Sequence, residues 1–356
     1  MKKILYITNN EMPYKTKFFN ELSKYCDLQV LYEFDSDSAR NTKWRKSIKQ
    51  SFKYDSLQKY HGKMFKITRI IKNYIKNGYD TIIFGCVNNK QEILLIRYFR
   101  KKANVYINLD GELFLNKGLK TYIKKYVLSG VKGYLSAGIT ATDNLKKSIK
   151  KDNAFSYHFS SLTEEEITTN SKNYKQNKRQ DYFLIVSRYS KEKGLDIILK
   201  VAEMHPDIIF KFTGMGNRIS KFMKKVKKMR LKNVVAIPFL QKEELSMEYS
   251  NCKALILPSV QECWGLVVNE AASYGTPIVS TYGSGAAIEL LKPEYSFFLA
   301  KPKDVKSLDE CISKFLDYKN VEEYSNYLVE ISNKYTIENM VDDHLMALNI
   351  NDGEVE

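Results

Sequence analysis

The chain has 356 residues, with 57 Lys and Arg against 41 Asp and Glu, for a net charge of +16. That length admits two domains with full cores. The five cysteines, Cys26, Cys86, Cys252, Cys263 and Cys311, are odd in number and contain no C-x-x-C pair, which argues against a disulfide framework or a thiolate metal site and for a reducing cytoplasm.

The N-terminus, MKKILYITNN, has only a short apolar run and reads as a first strand, not a signal peptide. No uncharged apolar segment is long enough to cross a bilayer. The positive charge is concentrated: residues 1–150 carry 30 basic against 12 acidic side chains, and the remainder 27 against 29. Such asymmetry points to an anionic partner for the first half, either nucleic acid or an anionic membrane face.

In chain order, Lys3–Thr8 reads as a strand, Thr16–Tyr25 as a helix, and Leu28–Tyr32, Thr81–Phe84 and Val105–Asn108 as further strands. Continuous apolar runs separated by helical patterns indicate a parallel sheet buried on both faces. The polar segment Ser171–Gln180 reads as a linker. A second series then begins, with strands at Tyr182–Ser187, Ile208–Thr213, Val234–Ile237, Ala254–Leu257 and Pro277–Ser280, and helices at Gly194–Met204 and Ile219–Met229. The tail from Ser325 to Leu348 has helical periodicity. The expected fold class is α/β, with two Rossmann-like domains facing a central cleft. The domains are expected at 1–170 and 181–335, joined by a linker at 171–180 and followed by a C-terminal helical segment at 336–356.

Chemistry concentrates in the second half. The stretch Pro258–Ser280, PSVQECWGLVVNEAASYGTPIVS, sets Glu262 and Glu270 on either side of the run WGLVV. A structural helix has no need of carboxylates so placed, and the pair suggests hydrogen-bond acceptors reading the hydroxyls of a polar ligand. Upstream, VSRYSKEKGLD holds Arg188 and Lys193, and FTGMGN holds Gly214 and Gly216. Downstream, TYGSGAAIELL carries Gly283, Gly285 and Glu289. This ordered set, from Phe183 to Leu291, resembles the retaining nucleotide-sugar glycosyltransferases of family 4, the E-x7-E type with the two-domain GT-B fold. The resemblance implies that the C-terminal helix at 336–356 crosses back to the N-terminal domain.

The resemblance implies roles. Arg188 and Lys193 match two phosphate-binding cations, which would stabilise the charge that builds on a departing diphosphate; Arg can hold two oxygens at once, whereas Lys acts as a point charge. Glu262 would face donor sugar hydroxyls and Glu270 the nucleotide ribose. Backbone N–H groups around Cys263, Trp264, Gly265 and Leu266 would reach diphosphate or sugar near a helix start, with Cys263 a small filler lacking a basic group to activate it. Gly214 and Gly216 would allow close ligand approach. Phe239 and Leu240 fall where the family contacts the base, although Pro238 replaces the usual glycine.

The first half resembles the family less. Thr8-Asn9-Asn10-Glu11-Met12-Pro13 stands where a Gly-rich loop is common, and no histidine sits convincingly in an N-terminal site. Asp110, in INLDGELF after a strand, is the candidate for orienting the acceptor hydroxyl, with Glu112 behind it; a polar D-G turn is the competing reading. Asp35-Ser36-Asp37 is a D-x-D of the kind metal-dependent transferases use, but its position favours a loop. No metal and no cofactor are expected.

Lys59–Lys76 and Lys117–Leu135 mix lysines with aromatic and aliphatic residues and, as helices, would each present an apolar stripe flanked by cations, as on an anionic membrane. The expectation is therefore a retaining, metal-independent glycosyltransferase, cytoplasmic and peripheral at a membrane. It would move sugar from a nucleotide-diphosphate sugar, UDP by default, to a glycan or lipid-linked acceptor in capsule, polysaccharide or glycolipid synthesis. Another GT-B activity (epimerase or phosphorylase) and a basic nucleic-acid-binding protein are the alternatives.

Overall fold

The structure, a computed structural model, describes residues 1–34, 48–87, 89–111, 125–174, 179–291 and 294–350. The chain divides into two compact units: Met1–Phe159 with Ile337–Glu356, and Ser160–Thr336.

The first unit is built on seven parallel strands: β1 (Lys3–Thr8), β2 (Asp27–Tyr32), β3 (Lys53–Ser56), β4 (Thr81–Phe84), β5 (Asn104–Leu109), β6 (Gly133–Ala137) and β7 (Ala154–Tyr157). Their order is β3-β2-β1-β4-β5-β6-β7. Runs such as ILYI, TIIF and VYIN have apolar residues on both faces, so both faces must be covered, and helices cover them. Leu5, Ile7, Leu31, Ile82, Phe84, Val105 and Ile107 join one core with Ile67 and Ile71 of the helix Met64–Lys76 and Leu95, Ile96 and Phe99 of the helix Lys90–Phe99. Asn89 caps that last helix: its side chain accepts from the Glu92 amide at 2.9 Å and Glu92 returns a carboxylate to the Asn89 amide at 2.9 Å.

The second unit has six parallel strands: β8 (Tyr182–Val186), β9 (Ile209–Thr213), β10 (Val234–Ala236), β11 (Ala254–Leu257), β12 (Ile278–Thr281) and β13 (Leu299–Ala300), in the order β10-β9-β8-β11-β12-β13. The chain winds from β8 in one direction, then returns to lay β11 against the other side of β8. The carboxyl ends of β8 and β11 thus mark the topological switch point, where the connecting loops diverge and ligands of open α/β sheets bind.

Several expectations need correction. The expected junction at 171–180 differs from the observed split at Phe159–Ser160, because Glu164–Tyr174 is a helix of the second unit; the later split falls between Thr336 and Ile337. Asn170 donates to Ser273 Oγ at 2.9 Å, Ser161 donates to Glu270 at 3.4 Å, and Glu166 pairs with Lys242, tying the segment to second-unit helices. Arg179, expected in solvated linker, instead donates to the carbonyls of Tyr249, Ser250, Cys252, Tyr274 and Gly275 at 2.7–3.4 Å. It thereby satisfies the orphan carbonyls at the ends of helices Lys242–Asn251 and Leu266–Ser273. The helical tail is two helices, Val321–Ser332 in the second unit and Ile337–Ala347 in the first.

The two lysine-rich stretches also differ from expectation. Helix Met64–Lys76 turns its isoleucines into the core, so its apolar stripe is already covered; Lys66, Arg69, Lys72 and Lys76 face outward with Phe65, which is 82% exposed. In the second stretch Gly133–Leu135 opens β6, with Tyr134 and Leu135 fully buried; residues 117–124 lie outside the described residues. Residues 125–128 are helical, so the stretch is strand only from Gly133 onward.

Arg179→Ala should lower the stability of the second unit by about 3 kcal/mol, since charge-assisted bonds to buried carbonyls are lost together. The chain has two tryptophans, Trp44 and Trp264. In a Trp44→Phe background Trp264 fluorescence during urea unfolding reads this unit alone; an unchanged midpoint would contradict the capping role.

Candidate functional site

Three loops of the second unit meet at the switch point: Ser187–Gly194 after β8, Pro258–Gly265 after β11, and Tyr282–Ser284 after β12. They are sewn together by main chain. The amides of Val260 and Gln261 donate to the Glu192 carbonyl at 2.8 and 3.2 Å, and the Glu262 amide donates to the Gly283 carbonyl at 2.8 Å. The Trp264 carbonyl accepts from both the Ala286 amide and Ser284 Oγ, each at 2.9 Å. Gly194, at φ +67°, has to be glycine: a Cβ there would stand 1.9 Å from the Pro258 carbonyl oxygen. Gly265, at φ +106°, is held similarly, with Ser284 Oγ 2.8 Å from where its Cβ would be.

This lacing brings Lys193 and Glu262 into direct contact, although 68 residues separate them in sequence. Lys193 Nζ donates to Glu262 Oε2, and both side chains are largely buried, at 13% and 14% exposure. Ser259 Oγ, itself buried, donates to the same Oε2 at 3.3 Å. Arg188 lies on the same loop as Lys193 but is open to solvent, with its guanidinium 4.0 Å from the Glu192 carboxylate. The Ser190 hydroxyl holds Glu192 below the usual carboxylate range.

Glu270 lies on helix Leu266–Ser273, and its carboxylate accepts from Tyr249 Oη at 2.8 Å and Ser161 Oγ at 3.4 Å. Burial, then the Glu270 charge, pushes the Tyr249 hydroxyl well up, so it stays a donor to that carboxylate. Trp264 is 2% exposed and its indole N–H donates to Asn269 at 2.9 Å; the side chain belongs to the core. Leu266 begins the helix half-buried, and Cys263 is exposed. Gly214 and Gly216 follow β9, both at positive φ, and Gly214 passes close under the Ser187 main chain. Phe239 and Leu240 are half-buried beyond β10, where Thr213 donates to the Pro238 carbonyl at 2.8 Å. Glu289 sits half-buried on helix Gly285–Leu291.

In the first unit Asp110 ends β5 and is anchored as a carboxylate acceptor. Tyr14 Oη donates to Oδ2 at 2.8 Å, and Tyr157 Oη to Oδ1 at 3.1 Å. Asn108 connects this group to His344, fully buried on the last helix, at 2.6 Å. Burial pushes His344 down to about 4. None of Tyr14, Tyr157, Asn108 or His344 stood out in the sequence, because their link is tertiary. Asp35, Asp37 and Glu112 lie outside the described residues.

At the first sheet's own switch point, between β1 and β4, a polar cluster is buried. Lys15 Nζ donates to Thr8 Oγ1 and Asn9 Oδ1, both at 2.6 Å, and Cys86 Sγ donates to Glu92 at 2.9 Å. Glu33, Cys86 and Glu92 lie within reach of one another. Burial and then the Glu92 carboxyl push Glu33 up to about 9, and burial pushes the Cys86 thiol up as well. Glu33 thus keeps its proton near neutral pH.

Residues 166–334 match the family model described as Glycosyl transferases group 1. The uncharacterized 41.2 kDa protein in the cps region of Klebsiella pneumoniae is 29% identical over 155 residues, covering 43% of this chain and 36% of that protein. The O-antigen chain mannosyltransferase C of Escherichia coli is 27% identical over 176 residues, covering 48% and 46%. The chain therefore spans less than half the length of these curated relatives. Among solved structures, Anabaena Alr3699/HepE in complex with UDP and glucose aligns over 98% of this chain and 100% of its own with a TM-score of 0.72 at 14% identity. The fold is GT-B, and the group 1 match falls within the second unit.

Glu33 yields a pH prediction. An acid whose folded pKa lies above its unfolded value keeps its proton in the folded state while the unfolded chain releases it. Stability is then highest below the unfolded pKa and declines as pH rises toward about 9, with a slope of up to about 1.4 kcal/mol per pH unit. Urea midpoints of the first unit should fall between pH 6 and 8.5, and Glu33→Gln should flatten that fall. A wild-type profile no steeper than the variant's would refute the assignment.

Proposed function

We propose that the protein is a retaining glycosyltransferase that moves a sugar from a nucleotide-diphosphate sugar, UDP-linked by default, to a glycan or lipid-linked acceptor in surface polysaccharide or glycolipid synthesis. The observation that carries this reading is the contact between Lys193 and Glu262 at the switch point, a cation suited to phosphate beside a carboxylate suited to sugar hydroxyls. The group 1 domain and relatives that include an O-antigen mannosyltransferase support it.

In this reading Lys193 and Arg188 bind the diphosphate, Glu262 a sugar hydroxyl and Glu270 the ribose. The bond from the anomeric carbon to the phosphate oxygen breaks and leaves its electron pair on the diphosphate, whose growing charge the two cations stabilise. The acceptor oxygen bonds to the same carbon from the same face, and its proton passes to the departing phosphate oxygen. An oxocarbenium-like transition state follows from weak bonding to both oxygens. Charge stabilisation by side chains makes a metal dispensable, and Asp110, fixed by two tyrosine hydroxyls, is the acceptor-side candidate. Trp264 supports the main chain at this site and does not bind ligand through its side chain.

The test is a panel of UDP-, GDP- and ADP-linked sugars, read by thermal shift and by mass spectrometry of hydrolysed or transferred sugar. One donor should raise the melting temperature by mass action. Lys193→Ala and Glu262→Ala should each lower turnover of that donor by about 100-fold or more while circular dichroism stays unchanged. Near-normal transfer by either variant would remove that residue from the site.

Peripheral attachment to an anionic membrane is part of the proposal. Its support is the outward cationic face of helix Met64–Lys76, continued by Lys59 and Lys63, with Phe65 exposed among them. The protein should co-sediment with phosphatidylglycerol vesicles at low salt, and Lys66→Glu with Arg69→Glu and Lys72→Glu should abolish this. Retained binding would place attachment elsewhere.

A further inference from the structure

We infer that Glu262 sets the discrimination between the donor and its spent nucleoside diphosphate, weakening the product by its charge while tolerating the donor. This rests on the donor site proposed above and adds a property to it.

Lys193 is the largely buried cation of the site, and among the described residues its ammonium donates one hydrogen bond, to Glu262. The two carboxylate oxygens of Glu262 are used unequally. Oε2 accepts from Lys193 and from Ser259 Oγ, whereas Oε1 accepts no hydrogen bond among the described residues. The backbone leaves little freedom to separate the pair. The Glu262 amide is fixed to the Gly283 carbonyl, and the Glu192 carbonyl, next to Lys193, is fixed to Val260 and Gln261.

Any phosphate oxygen that reaches Lys193 Nζ therefore comes near the Glu262 carboxylate too. In a site of such low exposure that repulsion is poorly screened. A nucleotide sugar compensates for it, because a sugar hydroxyl can donate to Oε1. A nucleoside diphosphate offers no such donor, and its terminal phosphate carries an additional negative charge. The carboxylate thus opposes the product more than the donor. The consequence is faster product departure, obtained without weakening the donor.

The experiment measures calorimetric Kd values for UDP and UDP-glucose, and for the GDP and ADP equivalents, on the full chain. Wild type should bind one nucleotide family, with the donor favoured over its diphosphate. Glu262→Gln keeps the shape and removes the charge. It should tighten the diphosphate by about tenfold, or about 1.4 kcal/mol, and leave the donor unchanged or weaker. Unchanged or weaker diphosphate binding by a folded Glu262→Gln overturns the inference and leaves the donor-site proposal standing. Wild type that binds none of the nucleotides overturns both. Lys193→Met provides a second comparison that does not depend on the single variant. Lys193→Met should bind diphosphate less tightly than Lys193→Met with Glu262→Gln, because the carboxylate repels phosphate without its counterion. Equal binding by these two variants also overturns the inference.

Discussion

A parallel sheet wound outward in both directions from its first strand has one place where neighbouring loops part, and the second unit is organised around that constraint. β8 starts the sheet and β11 returns to its free side, so the loops after them leave the carboxyl edge in opposite directions. The gap would be only polar main chain if nothing closed it. Here the Glu192 carbonyl takes two amides from the β11 loop, and Gly194 lets the two backbones touch at Pro258. Lys193 and Glu262 are carried into contact by that lacing and by nothing in their own local sequence.

The two units treat their switch points differently. The second presents a cation and a carboxylate with an oxygen still able to accept. The first fills its own with a closed set: Lys15 on Thr8 and Asn9, and Cys86 on Glu92 beside a Glu33 that retains its proton. An unpaired ionised group at such depth would be costly, and the proton that Glu33 keeps removes that cost. The polar reach of the first unit moves one strand outward, to Asp110 at the end of β5, where two tyrosine hydroxyls hold the carboxylate.

The positive charge of the first half also has a plainer architecture than its composition suggested. Helix Met64–Lys76 carries lysines and isoleucines at helical spacing, a pattern common to a membrane-lying helix and to a helix lying on a sheet. The two differ only in what covers the isoleucines, and here Ile67 and Ile71 are covered by the core. What remains outward is charge and one phenylalanine. Arg179 makes a related point: in a stretch of lysine, asparagine and glutamine it reads as a solvated cation, yet its planar fork of donors meets the ends of two helices.

Local pattern was sufficient wherever a strand is apolar on both faces. Thr81–Phe84 and Ala254–Leu257 were legible to the residue, because burial on two sides demands continuous apolar residues and adjoining turns bound them. The order of motifs from Arg188 to Glu289 also marked the second unit as the chemical half. β6 and β7 escaped notice, since glycine, serine and tyrosine interrupt their runs and only neighbours in the sheet make them strands. The split at Phe159 and the core placement of Trp264 were decided by packing. So was the pairing of Lys193 with Glu262. Sequence determines which groups can carry charge or donate a proton; proximity between residues far apart in the chain exists only once the sheet has fixed its strand order.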